Sequence, residues 1–451
     1  MLVESWLARA AAQRPQRPAL QTPAEDWSYA QLYAAARFGA GALAARGAGP
    51  GVRVAIALPA GLAFAQTLHA CLLLGAVAVP VDLRLAAREQ ARIVDGAGVL
   101  VSEPLGEGPV PGALPVDLRH DLDAVAVVIH TSGTTAAPRP VELTYGNLLW
   151  SALGSAVALG IGEDERWLCA LTLAHVGGLS ILIRAAIRST TAIIHERFEV
   201  DRVLYDLSAR EATGVSLVAT TLARLLDAGL QRPEHLRCAL TGGGPVPAAL
   251  VARAREAGVP VGLTYGLSQA ASQVTTTPLV EIVRGLDERG AGDGDRSAGP
   301  PLFCTRVRIG PDDEILVRGP TVAPGTLGPD GWLHTGDLGG LDDHGRLLVT
   351  GRKVDTIVSG GENIAPAEVE AVLEAHPQVL EAAVLARADP RWGQAVTAIV
   401  LARAGAIPDP ETLRAHCAAA LAPFKVPKRF EFASEPLPRT SSGKLLRREL
   451  Q

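Results

Sequence analysis

Short runs of Val, Ile and Leu alternate along the chain with longer stretches rich in Ala, Leu and Arg. The runs at 124–129, 214–218 and 260–263 have the length of buried strands, and the stretches between them have the length of helices. This alternation predicts an α/β architecture, with largely parallel sheets whose faces are covered by helices. Residues 54–81 contain no Asp, Glu, Lys or Arg, a span long enough to cross a bilayer. Pro59, Gln66, His69, Gly75 and Pro80 interrupt it. It therefore reads as a strand over 52–58, a turn at Pro59-Ala60-Gly61, a helix over 62–74 and a strand over 76–81. A buried strand–helix–strand unit also lacks charge on its inner faces, so no membrane span is expected.

The pattern changes twice. Residues 285–301 are rich in Gly, Asp, Arg and Pro and read as an exposed loop. After them, 306–309 and 314–318 predict a small hairpin around Pro311-Asp312-Asp313. The second change lies near Gly351-Arg352-Lys353. Beyond it come a glycine-rich strand end, a helix over 366–375, strands over 382–386 and 395–402, a helix over 410–421 and a basic tail. Two units follow, residues 1–351 and a small α+β domain over 352–451.

Composition narrows the function. With 451 residues, 48% hydrophobic and 20% charged, the chain can bury more than one core. The net charge of -5 gives no overall basic excess for nucleic acid or anionic lipid. The densest basic stretch is the tail, with Lys425, Lys428, Arg429, Lys444, Arg447 and Arg448. The five cysteines are odd in number and lack CxxC or metal-ligand spacing, which suits free thiols in a reducing cytoplasm. Glu4, Arg9, Arg14 and Arg17 break up the N-terminus, which lacks the apolar run of a secretory leader.

Several glycine- and hydroxyl-rich segments carry candidate chemistry. His130-Thr131-Ser132-Gly133-Thr134-Thr135 follows an apolar strand and offers N–H and O–H donors to phosphate oxygens; a plain Ser/Thr turn would read the same. It is not a GxxxxGK[ST] loop. Thr241-Gly242-Gly243-Gly244-Pro245 allows a flat ligand to approach the backbone, or is only a tight turn. Thr264-Tyr265-Gly266-Leu267-Ser268-Gln269 adds an aromatic face and polar side chains. In Gly331-Trp332-Leu333-His334-Thr335-Gly336-Asp337 the Asp can accept hydrogen bonds from two ribose hydroxyls, or is a solvated turn residue. Gly351-Arg352-Lys353-Val354-Asp355 with Ser359-Gly360-Gly361-Glu362-Asn363, and Pro438-Arg439-Thr440-Ser441-Ser442-Gly443-Lys444, complete the set.

In this order, and over nearly the whole chain, these motifs resemble the adenylate-forming superfamily of acyl-CoA synthetases, nonribosomal adenylation domains and luciferases. Within it, four segments look most like the o-succinylbenzoate–CoA ligases of menaquinone biosynthesis. They are Leu143-Thr144-Tyr145-Gly146-Asn147, His175-Val176-Gly177-Gly178-Leu179-Ser180, Thr264-Tyr265-Gly266-Leu267 with Ser272-Gln273, and Lys444-Leu445-Leu446-Arg447-Arg448-Glu449-Leu450.

The resemblance implies an α/β fold: a large N-terminal domain of stacked mixed sheets and helices, with a small α+β C-terminal lid. It also implies a two-step reaction, in which ATP activates a carboxylic acid as acyl-AMP and coenzyme A then displaces AMP. Thr131, Ser132, Gly133, Thr134 and Thr135 would grip the phosphates, with Thr135 and Gln269 at Mg²⁺. Gly242, Gly243, Gly244, Thr264, Tyr265 and Gly266 would frame the adenine, and Asp337 and Arg352 the ribose. Ser268 would meet the α-phosphate. Lys444 would bridge that phosphate and the substrate carboxylate, offsetting the charge that builds between them. His175 would stand at the acyl pocket and thiol entry, and Gly360 and Gly361 at the pantetheine of coenzyme A.

Gly177, Ser180, Arg184, Leu267, Ser272 and Gln273 would surround the acid. Arg184 is the charged residue of the apolar helix expected over 179–186, one turn beyond Ser180. It either holds a second carboxylate or points to solvent. Two departures from the family pattern stand out: Ala136-Ala137-Pro138-Arg139-Pro140 replaces Gly-Lys-Pro-Lys-Gly, and Gln269 replaces a glutamate. Another aryl-acid ligase, a stand-alone enzyme loading a carrier protein, and a nucleotide-binding relative are the alternatives. The expected partners are a small carboxylic acid, ATP and CoA, with no nucleic acid and with a homodimer left open.

Overall fold

The computed structural model describes residues 1–108, 119–131, 139–287, 297–359, 362–389, 392–421, 423–440 and 445–450. Two sheets dominate the N-terminal part. One has five strands in the order Val99–Val101, Arg53–Ile56, Val77–Pro80, Val125–Thr131, Arg139–Thr144, parallel except for the last. The other has eight strands and runs from Ser272–Thr276 through Val261–Leu267, Cys238–Gly242, Gly214–Leu217, Arg166–Cys169 and Thr191–Ile194 to Pro18–Gln21 and Asp26–Ser28. Its two end pairs are antiparallel and the rest parallel.

The uninterrupted apolar runs arise because both faces of these strands are covered. Trp167, Cys169, Ala192 and Ile194 point into a core shared with Val54, Ile56, Val127 and Ile129 of the other sheet. The helices Tyr29–Ala44, Leu62–Leu74, Tyr145–Leu159 and Val176–Arg188 contribute to that same core. Alternate residues Leu168, Ile193, Val215, Leu217 and Ala239 face the opposite way, onto a second core. The Leu62–Leu74 helix occupies the span read from sequence and is buried over nearly its whole length, which is why the charge-free stretch needs no lipid. Among the described residues no helix is long and apolar enough to cross a membrane.

Tyr145–Leu159 starts where sequence demands it. Thr144 Oγ1 accepts from the Asn147 amide at 3.1 Å, and Asn147 Oδ1 accepts from the Thr144 amide at 2.9 Å, a reciprocal cap. Asn147 Nδ2 also donates to the carbonyls of Pro320 and Val322, so this motif fixes the helix to the segment that joins the second and third strands of the following sheet.

That next sheet is antiparallel, Arg306–Ile309, Glu314–Arg318, Leu333–Leu341, Leu347–Arg352, and it begins with the expected hairpin. The exposed loop expected over 285–301 needs correction at both ends. The helix Leu279–Asp287 runs into it, and Ser297 is buried, with Pro301 bridging to Thr275. The glycine and proline content hid a backbone that returns to pack on the sheet edge.

Arg352 still belongs to the four-stranded sheet, whereas Ile357 belongs to a separate core. The change-over is the short turn Lys353–Asp355. Beyond it, Val379–Asp389 and Gly393–Ala402 form a long antiparallel pair backed by the helices Pro366–Glu374 and Pro410–Ala420. Near the end of the chain, the Arg447 guanidinium grips both oxygens of Glu370 at 2.6 and 2.7 Å and reaches Asp355 at 3.3 Å.

Candidate active site

Gly242 and Tyr265 lie at the carboxyl ends of neighbouring strands, where open α/β sheets expose backbone to a ligand. A Cβ at Gly242 would lie 2.5 Å from the Thr264 carbonyl oxygen on the adjacent strand, so only glycine lets the two backbones approach. Gly243 follows with φ +80°. Tyr265 crosses to the other sheet: its hydroxyl donates to Asp337 Oδ2 at 2.8 Å. Asp337 and Arg352 are paired across their strands, with Arg352 Nε 3.2 Å from Asp337 Oδ1. Burial and the Asp337 charge push the Tyr265 phenol well above its ordinary range, so it remains a donor at neutral pH. The Asp337 carboxylate has lone pairs to spare and can accept from a vicinal diol.

Thr264 and Gly266 are engaged within the protein. The Thr264 hydroxyl is spent on the Thr275 carbonyl and the Thr276 hydroxyl. A Cβ at Gly266 would lie 1.7 Å from the Ser272 carbonyl oxygen, at an irregularity in the strand pairing. Both shape the turn, and the Thr264 hydroxyl is already bonded. Ser268 and Gln269 lie on the short turn Ser268–Ala270, half-buried, and the Gln269 carbonyl is held by the Ala323 amide at 2.8 Å.

Thr131 ends one strand and donates its hydroxyl to the Arg139 carbonyl opposite, at 3.2 Å. Ser132, Gly133, Thr134, Thr135, Gly360, Gly361 and Lys444 lie outside the described residues. Pro140 is in the ladder facing His130, on the strand at the sheet edge. Its missing N–H therefore falls in an edge strand, a position that tolerates proline, rather than in the phosphate loop.

Of the acid-binding candidates, Gly177, Ser180 and Arg184 lie on the Val176–Arg188 helix, and Leu267, Ser272 and Gln273 on the strands Val261–Leu267 and Ser272–Thr276. His175 precedes the helix, and its Nε2 is 3.7 Å from Asp82 Oδ2. Burial opposes ionisation of Asp82, but the Arg84 fork, at 2.8 and 2.7 Å, outweighs it and holds the carboxyl below its ordinary value. A Cβ at Gly178 would lie 2.4 Å from the Thr172 carbonyl oxygen, so this helix start needs glycine there.

Arg184 does not reach solvent. It is 5% exposed, and its guanidinium carbon lies over the Trp167 ring, 4.0 Å from the centroid. Its Nε and Nη2, the two donors on one edge of the fork, are buried without a partner. Arg184 lines a cavity of about 10 Å³ with Ser151, Ser155, Ser180, Ser272 and Gln273. Of the same lining residues, Gln273 Oε1 and Ser155 Oγ are also buried without a partner. Leu267 packs instead on the core of the four-stranded sheet, and Gly177 does not line the cavity. Ser151, Ser155 and Trp167 were missed in the sequence, since hydroxyls inside an apolar helix and a strand tryptophan read as ordinary core.

Glycines at strand ends that admit a flat ligand, an Asp able to accept from a diol and a buried cation beside a small polar cavity fit a nucleotide-dependent, acid-activating enzyme. The chain matches the AMP-binding enzyme family over residues 7–103 and 93–327, and the AMP-binding enzyme C-terminal domain over 368–444. It belongs to that family.

Two relatives named 2-succinylbenzoate–CoA ligase are among the most similar. The one from Bacillus subtilis (strain 168) is 36% identical, covering 100% of this chain and 98% of its own. The one from Geobacillus kaustophilus (strain HTA426) is 38% identical, covering 99% and 97%. Among solved structures, the Bacillus subtilis o-succinylbenzoate CoA synthetase in complex with its acyl-adenylate intermediate matches with a TM-score of 0.90 at 35% identity, covering 100% of this chain and 98% of that one. A double mutant of that synthetase, bound with a product analogue, matches with 0.73 at the same identity, covering 100% and 99%.

Proposed function

We propose that this chain is the ATP-dependent ligase that joins o-succinylbenzoate to coenzyme A in menaquinone biosynthesis. The observation that carries the acid's identity is Arg184: a buried guanidinium whose Nε and Nη2 have no partner, beside a small polar cavity, in a family that activates carboxylates. A buried anion without a partner is costly, and so is a buried cation, so each makes the other tolerable. An acid with a second carboxylate fits. Full-length similarity to enzymes of that name supports the same reading.

In the first step one oxygen of the aliphatic carboxylate attacks the α-phosphorus of ATP, and pyrophosphate leaves. In the second the CoA thiolate attacks the acyl carbonyl, and AMP leaves. Asp337 holds the ribose hydroxyls, with Tyr265 and Arg352 fixing its carboxylate. Gly242 to Gly244 admit the adenine, and Ser268 donates to the α-phosphate. Lys444 neutralises charge between carboxylate and phosphate in the first step, and Gly360 and Gly361 line the thiol path in the second. Gln269, half-buried beside Ser268, offers a neutral carbonyl oxygen. That fits Mg²⁺, which takes few protein ligands and otherwise keeps water and nucleotide phosphates. Bound there, the metal would screen phosphate charge.

Residues 1–351 would hold the substrates and 352–451 act as the lid, turning at Lys353–Asp355 between the two steps. The higher TM-score to the acyl-adenylate complex than to the product-analogue complex supports a lid set for the first step. The buried free cysteines suit a cytoplasmic enzyme, and a homodimer is a matter for sedimentation of the purified chain. The decisive experiment is ATP–pyrophosphate exchange over a panel of aromatic and aliphatic acids, followed by CoA-dependent thioester formation. Exchange driven best by o-succinylbenzoate is expected. Exchange with a benzoate alone would move the chain to another aryl acid, and no exchange with any acid would overturn the reading.

A further inference from the structure

We propose that Trp167 is a specificity-determining positioning residue: it lays the Arg184 guanidinium flat so that its unpaired edge meets the remote carboxylate of the acid. This rests on the reading of Arg184 given above and adds the part of the fold that aims it.

The support under Arg184 is layered. Trp167 lies on the strand Arg166–Cys169, paired with Gly214 on the next strand. A Cβ at Gly214 would lie 2.4 Å from the Trp167 ring, so the indole rests on bare backbone. The indole N–H donates to Ser216 Oγ, two residues further along that strand, at 2.9 Å. One ring face is thus seated and the ring's rotation is pinned. The guanidinium of Arg184 stacks on the ring, 4.0 Å from its centroid.

The stack answers a competition. Glu165 is 1% exposed and lies two residues before Trp167. Arg188 holds it at 3.0 Å, and Arg237 approaches at 3.8 Å. Arg184 is one helical turn before Arg188 and feels both the Glu165 attraction and the Arg188 repulsion. Yet no ion pair within 4.0 Å joins Arg184 to Glu165 among the described residues. A flexible, buried cation beside a buried carboxylate would turn toward it unless something else held its plane. The indole face does that, since a desolvated cation over an aromatic ring is held about as strongly as by a good hydrogen bond. The donors left over, Nε and Nη2, are the pair that binds a carboxylate side-on. Trp167 does not line the cavity beside Arg184. It acts through Arg184.

The test compares two acids in ATP–pyrophosphate exchange: o-succinylbenzoate, and 4-oxo-4-phenylbutanoate, which lacks the ring carboxylate. Trp167→Leu should raise KM for o-succinylbenzoate about tenfold while changing KM for the analogue less than twofold and leaving kcat near wild type. Trp167→Phe keeps a ring face, loses the Ser216 bond, and should fall between. Placed in an Arg184→Ala background, Trp167→Leu should add nothing to the ratio of the two KM values, because the group it aims is gone. If Arg184→Ala is selective for the diacid and Trp167→Leu is not, the positioning role is overturned while the reading of Arg184 stands. If Arg184→Ala weakens both acids equally, that reading itself fails. Should Trp167→Leu not fold, the KM ratio of Trp167→Phe decides: a ratio unchanged from wild type overturns the proposal.

Discussion

Arg184→Met should make the free protein more stable and the enzyme worse. Burial pulls the Arg184 guanidinium from 12.5 to about 10. It stays charged at neutral pH, and the drop corresponds to roughly 3 kcal/mol held against the charged, folded form. Since the group is only 5% exposed, that figure needs little discount for solvent screening. Methionine fills a similar volume without charge and gives up only the indole contact, worth about 1–2 kcal/mol. The net expectation is a gain of about 1–2 kcal/mol, as replacement of buried charges by apolar groups often gives. The same change removes a charge-assisted pair to the remote carboxylate, about 2 kcal/mol, or about thirtyfold in KM for o-succinylbenzoate. Denaturant unfolding without substrate reads the first quantity, and initial rates of pyrophosphate release at varied acid read the second. A Met variant that unfolds more easily and shows unchanged KM would refute the claim that Arg184 is held at a cost for the sake of a ligand.

Arg188→Ala should do the reverse, destabilising by about 3–5 kcal/mol in the same unfolding assay, because it strips Glu165 of its closest partner inside the protein. Lys444→Ala should abolish acyl-AMP formation yet leave thioester formation from supplied acyl-AMP largely intact; equal loss in both half-reactions would remove the division of labour. Gln269→Glu should lower the KM for ATP at limiting magnesium, since a carboxylate restores the charge a hard cation prefers; no gain there would mean that Gln269 is not a metal ligand. Burial raises the Glu374 carboxyl from 4.5 to about 7. Its folded value exceeds its unfolded one, so its proton favours folding at low pH and that advantage is lost as pH rises from about 4.5 to about 7. Glu374→Gln should therefore stabilise by about 1–3 kcal/mol at pH 8 and by little at pH 4, checked by unfolding midpoints at the two pH values.

Much of the fold could be read because its strands are covered on both faces and its helices carry local start signals. Leu62–Leu74, the 306–318 hairpin and Pro366–Glu374 lie within a residue or two of where the pattern puts them. Strand ends were harder: Val379–Asp389 extends well beyond 382–386, because pairing with Gly393–Ala402 keeps polar residues in the ladder that hydropathy alone excludes. In the site, Tyr265, Asp337 and Arg352 could be named from motif order, but their mutual contact could not, since it depends on two sheets meeting. Arg184 could be named and not oriented. Whether an arginine inside an apolar helix turns outward or inward depends on what lies across from it, and although the Trp167 strand directly precedes that helix, nothing in the spacing says that the indole ends up under the guanidinium. Thr264, Gly266 and the Thr144–Asn147 cap stand out only as motif letters in the sequence. In space they serve the backbone.

The grip of Arg447 on Glu370 and Asp355 has a mechanical consequence. The last residues of the chain are fastened to the first helix of the C-terminal domain and to the far side of the turn that joins it to the rest. The tail that follows Lys444 is therefore built into a stiff lever arm rather than hung from it. In the proposed swing little displacement would be absorbed along the arm, and the rotation would be concentrated in the few backbone torsions between Arg352 and Asp355. Loosening the clamp, for instance with Glu370→Gln, would add slack at the tip while leaving the pivot untouched.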